Sequence, residues 1–313
     1  MEPKLFLTDI AIIEDCTLPT IHQRIKYKNL EALKHKSKSY LPPEMARMII
    51  KKDIIKQNIA IHTTKGGVGK TTITLNLAYR LWTFGVRILV IDLDQQANLT
   101  KGFKKNDPQN YVIQDVIDEK CTFEQTIIKV KDGLDLIPSS LKNARNSQSL
   151  FSHNIYPGDF LPNHIEKVSK NYDMILIDCP PSLGNVIESA YMASDRVLSV
   201  LDPDDNALDG VVHSQQEVQR LNDQKKLNIK FNILLNKYDS RTVFSNSILD
   251  VLFKNPLFKK STLNTVVNTS QDFLKLKSIN ETIFDNNKKT KSFIDIDNLA
   301  REVLGWPTGG HNG

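Results

Sequence analysis

The sequence predicts an α/β protein, a doubly wound and mostly parallel sheet, preceded by a small α-helical module of helix-turn-helix type. Three observations carry this. Short, near-continuous apolar runs recur from about Asn58 onward, stretches of helical periodicity separate them, and a glycine-rich loop stands between the first run and the first helix. Strands apolar on both faces need helices on both sides of the sheet.

Taken in chain order, residues 1–57 lack such runs, and "KHKSKSYLPP" (34–43) punctuates them with charge and proline. They are expected to form their own module. In "TDIAIIEDCTLPTIHQRIKY" (8–27), Ile10, Ala11 and Ile13 form one buried face, "EDCT" a turn, and "LPTIHQRIKY" a recognition helix. Proline is tolerated in that helix's first turn. Thr20, His22, Gln23, Arg24 and Lys26 would then offer groups to bases and phosphates. An amphipathic dimerisation arm that touches no base fits the same pattern. The following "KHKSKSYLPPEMARMII" resembles the wing and next helix of MerR-like winged modules.

Residues 58–304 carry the alternation. Strands are expected at 59–63, 87–94, 173–179, 196–202 and 229–236, and "KTTITLNLAYRLWTFG" (70–85) reads as a helix stopped by its glycine. The tail, 305–313, has turn composition and is expected to be flexible.

Composition narrows the classes. The chain of 313 residues, 40% hydrophobic and 25% charged, can bury one good core and a small second one. A net charge of +5 tolerates a nucleic-acid partner without demanding one. Cys16, Cys121 and Cys179 are scattered, which argues against a disulfide framework, a zinc site or an iron–sulfur cluster. With neither a leader pattern nor a membrane-length apolar run, a cytoplasmic protein is expected.

The chemistry concentrates in "HTTKGGVGKTT" (62–72). Backbone N–H groups can crowd round a phosphate only where glycine permits it, and Gly66, Gly67 and Gly69 do so around Val68. Lys70 would bridge phosphate oxygens, Thr71 would offer its hydroxyl to Mg²⁺, and Thr72 opens the helix. Thr64 stands where the usual motif has its first glycine, and a second lysine, Lys65, precedes the glycines.

"KGGVGKTT" resembles the deviant Walker A motif of the ParA/Soj/MinD ATPases, and so implies a P-loop NTPase. The resemblance covers about residues 58–300. In that family the first lysine reaches the ATP of the partner subunit in a nucleotide-sandwich dimer, so Lys65 is implied to complete a site in trans. "VIDLDQQANLT" (90–100) has Gln95 where the family commonly has proline. The resemblance implies that Asp94 orients or activates the attacking water, and that Asp92 tunes the metal site or the loop. "MILIDCPPSLG" (174–184) matches the Walker B segment, making Asp178 the Mg²⁺ aspartate.

"NKYDSRT" (236–242) is also the guanine-recognition pattern of GTPases. The family has a similar segment whose asparagine contacts adenine, which puts ATP first, Asn236 on the base, and Arg241 at an interface or on DNA. The family's "I-P-R" arginine is missing, with Asn268 there instead. Lys275 and Lys277 lead the remaining basic candidates for sequence-independent DNA contact.

The resemblance thus implies an ATP-dependent DNA partition protein, cytoplasmic and nucleoid-associated. It would be an ATP-dependent homodimer served by a ParB-like centromere-binding protein, with ATP and Mg²⁺ as cofactors and no membrane partner. A nucleotide-switched transcriptional repressor is the alternative.

Overall fold

The structure, a computed structural model, describes residues 3–204, 206–278, 281–285 and 288–308, without the side chains of 277 and 278. The nucleotide-binding part is a seven-stranded sheet in the order β10-β9-β4-β8-β5-β7-β6. Its strands are β4 (Gln57–Ile61), β5 (Ile88–Asp92), β6 (Ile128–Lys131), β7 (Leu134–Ile137), β8 (Met174–Asp178), β9 (Arg196–Leu201) and β10 (Lys230–Leu235). All pairs are parallel except β6 with β7.

Alternate residues face opposite layers, as a strand's two-residue period requires. Ile88 and Val90 join the core under α4 (Lys70–Thr83) and α14 (Lys291–Val303), whereas Leu89 and Ile91 join the other. That second layer is built from α6 (Ile113–Ile117), α7 (Asn146–Ser152), α8 (Pro157–Val168), α9 (Asn185–Met192) and α10 (Ala207–Lys225). Short α5 (Asn98–Gly102) follows β5, while α11 (Val243–Lys254), α12 (Pro256–Lys259) and α13 (Gln271–Ser278) follow β10. Among the described residues no helix is long and apolar enough to cross a membrane.

The five expected strands are present within a residue or two of their expected ends. The edge hairpin β6–β7 was not expected. Its strands alternate in polarity and are only four residues long. Its sign in the sequence was the turn Asp132–Gly133, where Gly133 has φ +79°.

The first 50 residues hold β1 (Leu5–Phe6), α1 (Leu7–Ile13), α2 (Leu18–Tyr27), β2 (Leu33–His35), β3 (Lys38–Leu41) and α3 (Pro43–Ile49). The expectation of an α-helical module therefore needs correction. An antiparallel sheet, β1-β3-β2, accompanies the helices. Its strands of two to four residues are too short for a periodicity to register. Ile10, Ala11 and Ile13 are buried, and Glu14–Thr17 makes the turn before α2.

This region is no loose appendage. Leu5, Ile10, Ile21, Leu41 and Ile49 belong to the same contiguous core as Leu81, Phe84 and Trp306. It packs at the C-terminal end of α4, roughly 20 Å along the helix axis from the phosphate loop. Gly85 makes that approach possible. It has φ +85°, and a Cβ there would lie 2.6 Å from both Arg47 Cβ and the Pro43 carbonyl oxygen.

Asp173 anchors the junction, receiving Arg47 at 2.5 Å and Arg87 at 2.9 Å. Desolvation alone would raise its pKa, but the two guanidiniums outweigh it and hold the carboxyl below the usual carboxylate range. A depressed group of this kind contributes stability above its unfolded pKa and loses it only as pH falls through the lower folded value. Asp173→Asn should weaken both guanidinium pairs, four charge-assisted hydrogen bonds in all, costing about 1–3 kcal/mol. A lower melting temperature, with faster proteolysis between residues 50 and 57, checks this.

The expected flexible tail begins too early. Trp306 is buried against Phe84, ring centroids 5.4 Å apart, and its Nε1 donates to the Asp53 carbonyl at 2.8 Å. Residues 309–313 lie outside the described residues.

Candidate functional site

Parallel strands deliver their C-terminal ends to one edge, and the candidate site lies there. The loop after β4 rises into α4 through Gly69, whose φ of +100° suits glycine. A Cβ on Gly69 would meet Asn236 Nδ2 at 2.4 Å, so the residue is confined by neighbour as well as by dihedral. A cleft of about 520 Å³ opens beside the loop, lined among others by Gly67, Lys70, Thr71, Asp94, Asn236 and Phe273. Gly66 and Thr72 also border it, whereas Val68 points into the core.

Lys70 is buried, its Nζ donating to the carbonyls of Thr63 at 3.1 Å and Lys65 at 2.9 Å. Burial lowers its pKa, with Asp178 opposing. An entering phosphate would exchange two neutral acceptors for a charged one. Thr71 Oγ1 donates to Asp178 Oδ2 at 2.8 Å and Thr74 Oγ1 to Oδ1 at 3.0 Å. Burial pushes the Asp178 carboxyl up to about 7. A bound cation would favour its ionised form. One carboxylate beside one hydroxyl at a phosphate loop fits Mg²⁺, which keeps several waters and shares phosphate oxygens. Among the described residues no cluster of three His, Cys, Asp or Glu offers a self-sufficient protein cage.

The two aspartates after β5 part company. Asp94 lines the cleft and accepts the Gln96 amide at 2.9 Å. Asp92 is fully buried. Its Oδ1 takes the Asp94 amide and its Oδ2 takes the Thr100 amide and hydroxyl, at 3.1, 2.9 and 2.7 Å. Ser139 continues the staple, donating its amide to Thr100 Oγ1 and its hydroxyl to the Asp94 carbonyl. The grouping of Asp92 with the metal residues is corrected accordingly. Its oxygens hold the loop, and it reaches the metal site only through its charge. Burial, and then Asp178 beside it in register, raises its pKa to about 8.

Lys65 does not line its own cleft. It forms an ion pair with Asp204 and approaches Asp202 at 3.5 Å. Asn236 donates to the Val68 carbonyl at 2.7 Å, so in this structure its amide braces the loop instead of waiting for a base. Its neighbour Lys237 does the same, donating to the Gly67 carbonyl at 2.6 Å and to Asp202 at 3.2 Å. Asp239, the residue a guanine would need, is held at both oxygens by Arg241, whose guanidinium keeps its carboxyl down at about 2. This pair lies at the surface and engages Arg241.

The sequence profile of the AAA domain matches residues 56–233. The chain is 31% identical over 250 residues to the sporulation initiation inhibitor protein Soj of Bacillus subtilis, spanning 78% of this chain and 97% of that one. It is 27% identical to the virulence plasmid ParA family protein pGP5-D of Chlamydia muridarum, across 79% of this chain and 92% of that one. The chain is a ParA-type P-loop ATPase. In structure it is similar to a plasmid partition protein of Borrelia burgdorferi B31 bound to AMPPNP, with a TM-score of 0.66, 25% identity, and coverage of 77% and 96%.

Away from the cleft, this ATPase presents the candidate DNA residues unevenly. His22, Gln23 and Lys26 are exposed on α2, with Thr20 half-buried beside Thr17. Arg24 is a correction. It pairs with Glu14 at 2.5 Å, and Glu14 also accepts the amides of Lys51 and Lys52, so the guanidinium holds the turn to α3. Lys275 is exposed on α13, while the side chain of Lys277 lies outside the described residues. Asn268, standing in for the missing arginine, is buried and donates twice to Asp295. Sequence reasoning missed Asp202, Asp204, Lys237 and Phe273. Of these, "LDPD" (201–204), two carboxylates closing an apolar strand, carried a readable signal, and Lys237 stood in the "NKYD" pattern under another reading.

Proposed function

We propose that this ParA-type ATPase is an ATP-dependent DNA partition protein. ATP with Mg²⁺ joins two protomers face to face. The dimer binds DNA without sequence preference, and hydrolysis, stimulated by a ParB-like centromere-binding partner, releases it to move or space replicons. The observation that carries the reading is the position of Lys65, which belongs to the phosphate loop yet keeps its ammonium on Asp202 and Asp204 outside its own cleft. A lysine so placed is turned from its own nucleotide, and at a dimer interface it would exchange these carboxylates for the phosphates of the second subunit's nucleotide. Lys70 and the loop amides hold the phosphates, Thr71 and Asp178 the magnesium, and Asp94 the attacking water.

The N-terminal region supports a second DNA contact, at an operator. Exposed His22, Gln23 and Lys26 on α2 stand with Lys34 and Lys36 of the β2–β3 hairpin, a helix and a wing on one small fold.

The test is binding to random-sequence DNA at one salt concentration, with ATP, ADP or no nucleotide, for wild type and Lys65→Ala. Binding promoted by ATP alone, and lost in the variant, is expected. Equal binding in every nucleotide state would overturn the gating and make the nucleotide-switched repressor the better reading.

A further inference from the structure

We propose that His62 is a positioning residue that ties the loop at 180–184 to the root of the phosphate loop, and so sets the rate of ATP turnover with little influence on ATP affinity. The proposal rests on the reading of the cleft as an ATPase site.

His62 directly follows β4 and is fully buried, its amide held by the Leu198 carbonyl at 3.1 Å. The ring therefore has a fixed origin. Its Nε2 lies 3.1 Å from the Ser182 carbonyl oxygen and its Nδ1 2.6 Å from the Tyr191 hydroxyl. A carbonyl can only accept, so Nε2 carries the proton and Nδ1 accepts from Tyr191. One neutral tautomer satisfies both partners. Burial, with Lys70 nearby, lowers the imidazole pKa to about 4, which keeps that neutral form at physiological pH.

Both partners lie on one continuous stretch of chain. Ser182 is in the loop that leaves β8 just after Asp178, and Tyr191 is on α9, whose N-cap is Gly184 at the loop's end. The loop touches the nucleotide side through Pro181, which borders the cleft and lies 3.9 Å from where a Gly66 Cβ would be. Its crown, Leu183, is 61% exposed. A segment that joins the metal aspartate to the cleft wall, and whose crown is exposed, needs an internal anchor, and His62 grips it at two points. Small misplacements of reacting groups affect the chemical step far more than ground-state binding.

The full-length chain carrying His62→Phe, His62→Gln or Tyr191→Phe is compared with wild type. Three quantities are measured: amide hydrogen exchange without nucleotide at residues 186–188, whose N–H groups are held by the Ser147 hydroxyl and the Gly184 carbonyl, kcat for ATP, and the Kd of an ATP analogue. His62→Phe should speed exchange there about tenfold and lower kcat about tenfold, with Kd changed less than about twofold. Glutamine supplies one N–H and one oxygen, and should restore both. Tyr191→Phe should fall between. Unchanged exchange in His62→Phe, a parallel loss of Kd and kcat, or failure of glutamine to restore either quantity in a protein of wild-type melting temperature would overturn the proposal. If His62→Phe does not fold, Tyr191→Phe decides by the same exchange criterion. Should wild type turn over no ATP, the ATPase reading fails by itself, and the tether still stands or falls by exchange.

Discussion

Asp94→Asn should slow ATP turnover by about 10²- to 10⁴-fold, the range for removing a positioned acid–base group. Affinity for ATP should stay within about threefold, since the role proposed for the group is in the chemical step. The substitution is mild in every other respect. Asparagine keeps an oxygen to accept the Gln96 amide, and the turn is held independently by Asp92, Thr100 and Ser139. What disappears is the carboxylate's ability to take a proton from water at the cleft. Single-turnover hydrolysis and equilibrium binding, measured on the same preparation, separate the two effects. A variant that hydrolyses ATP at the wild-type rate would remove Asp94 from the chemistry. A variant that no longer binds ATP would make Asp94 part of the binding site instead. If release from DNA follows hydrolysis, the same variant should remain on DNA in ATP long after wild type has left it.

The sequence was most legible where backbone and chemistry coincide. Strand, glycine loop and helix are contiguous between Ile59 and Thr83, so one stretch announced the fold, the phosphate cradle and Lys70 together. Asp178 was legible for the same reason, as a carboxylate closing an apolar strand, whereas β5 closes on Asp92 and the choice of Asp94 came from the family resemblance. What stayed hidden depends on side chains meeting across the chain. Nothing near Asp92 in the sequence tells that Thr100 and Ser139 claim its oxygens, and nothing near Arg24 tells that Glu14 neutralises it. Lys237 looked like part of a base-recognition signature until its ammonium was found on the Gly67 carbonyl. The union of the N-terminal region with the main core was hidden as well, because a charged and proline-rich stretch conceals how its apolar residues are shared.

Asp297→Ala should be the most damaging single change to stability. Arg80, in the last turn of α4, is 1% exposed and packs its guanidinium over Phe84, Phe284 and Phe293 at 4.7, 5.3 and 5.0 Å. Its charge is answered by Asp297 on α14, at 2.7 Å from Nε and 2.5 Å from Nη2, and Arg301 takes the other carboxylate oxygen at 2.7 Å. One buried carboxylate thus serves two nearly buried cations. Alanine would leave both unpaired, and breaking a buried pair from one side costs about 3–5 kcal/mol. For a chain of this size that corresponds to a fall in melting temperature of roughly 5–8 °C. The cost lies in the orphaned charge, not in the lost attraction, because desolvation already offsets most of what a buried pair gains. Arg80→Met combined with Asp297→Leu should therefore melt closer to wild type than Asp297→Ala alone. The aromatic box would accept the methionine, and Arg301, only 5% exposed, would still lack its partner, so recovery should be partial. Calorimetry on the three proteins decides it. A double variant that melts below the single one would mean that the pair contributes net stability, and that the aromatic faces around Arg80 favour a cation over a thioether.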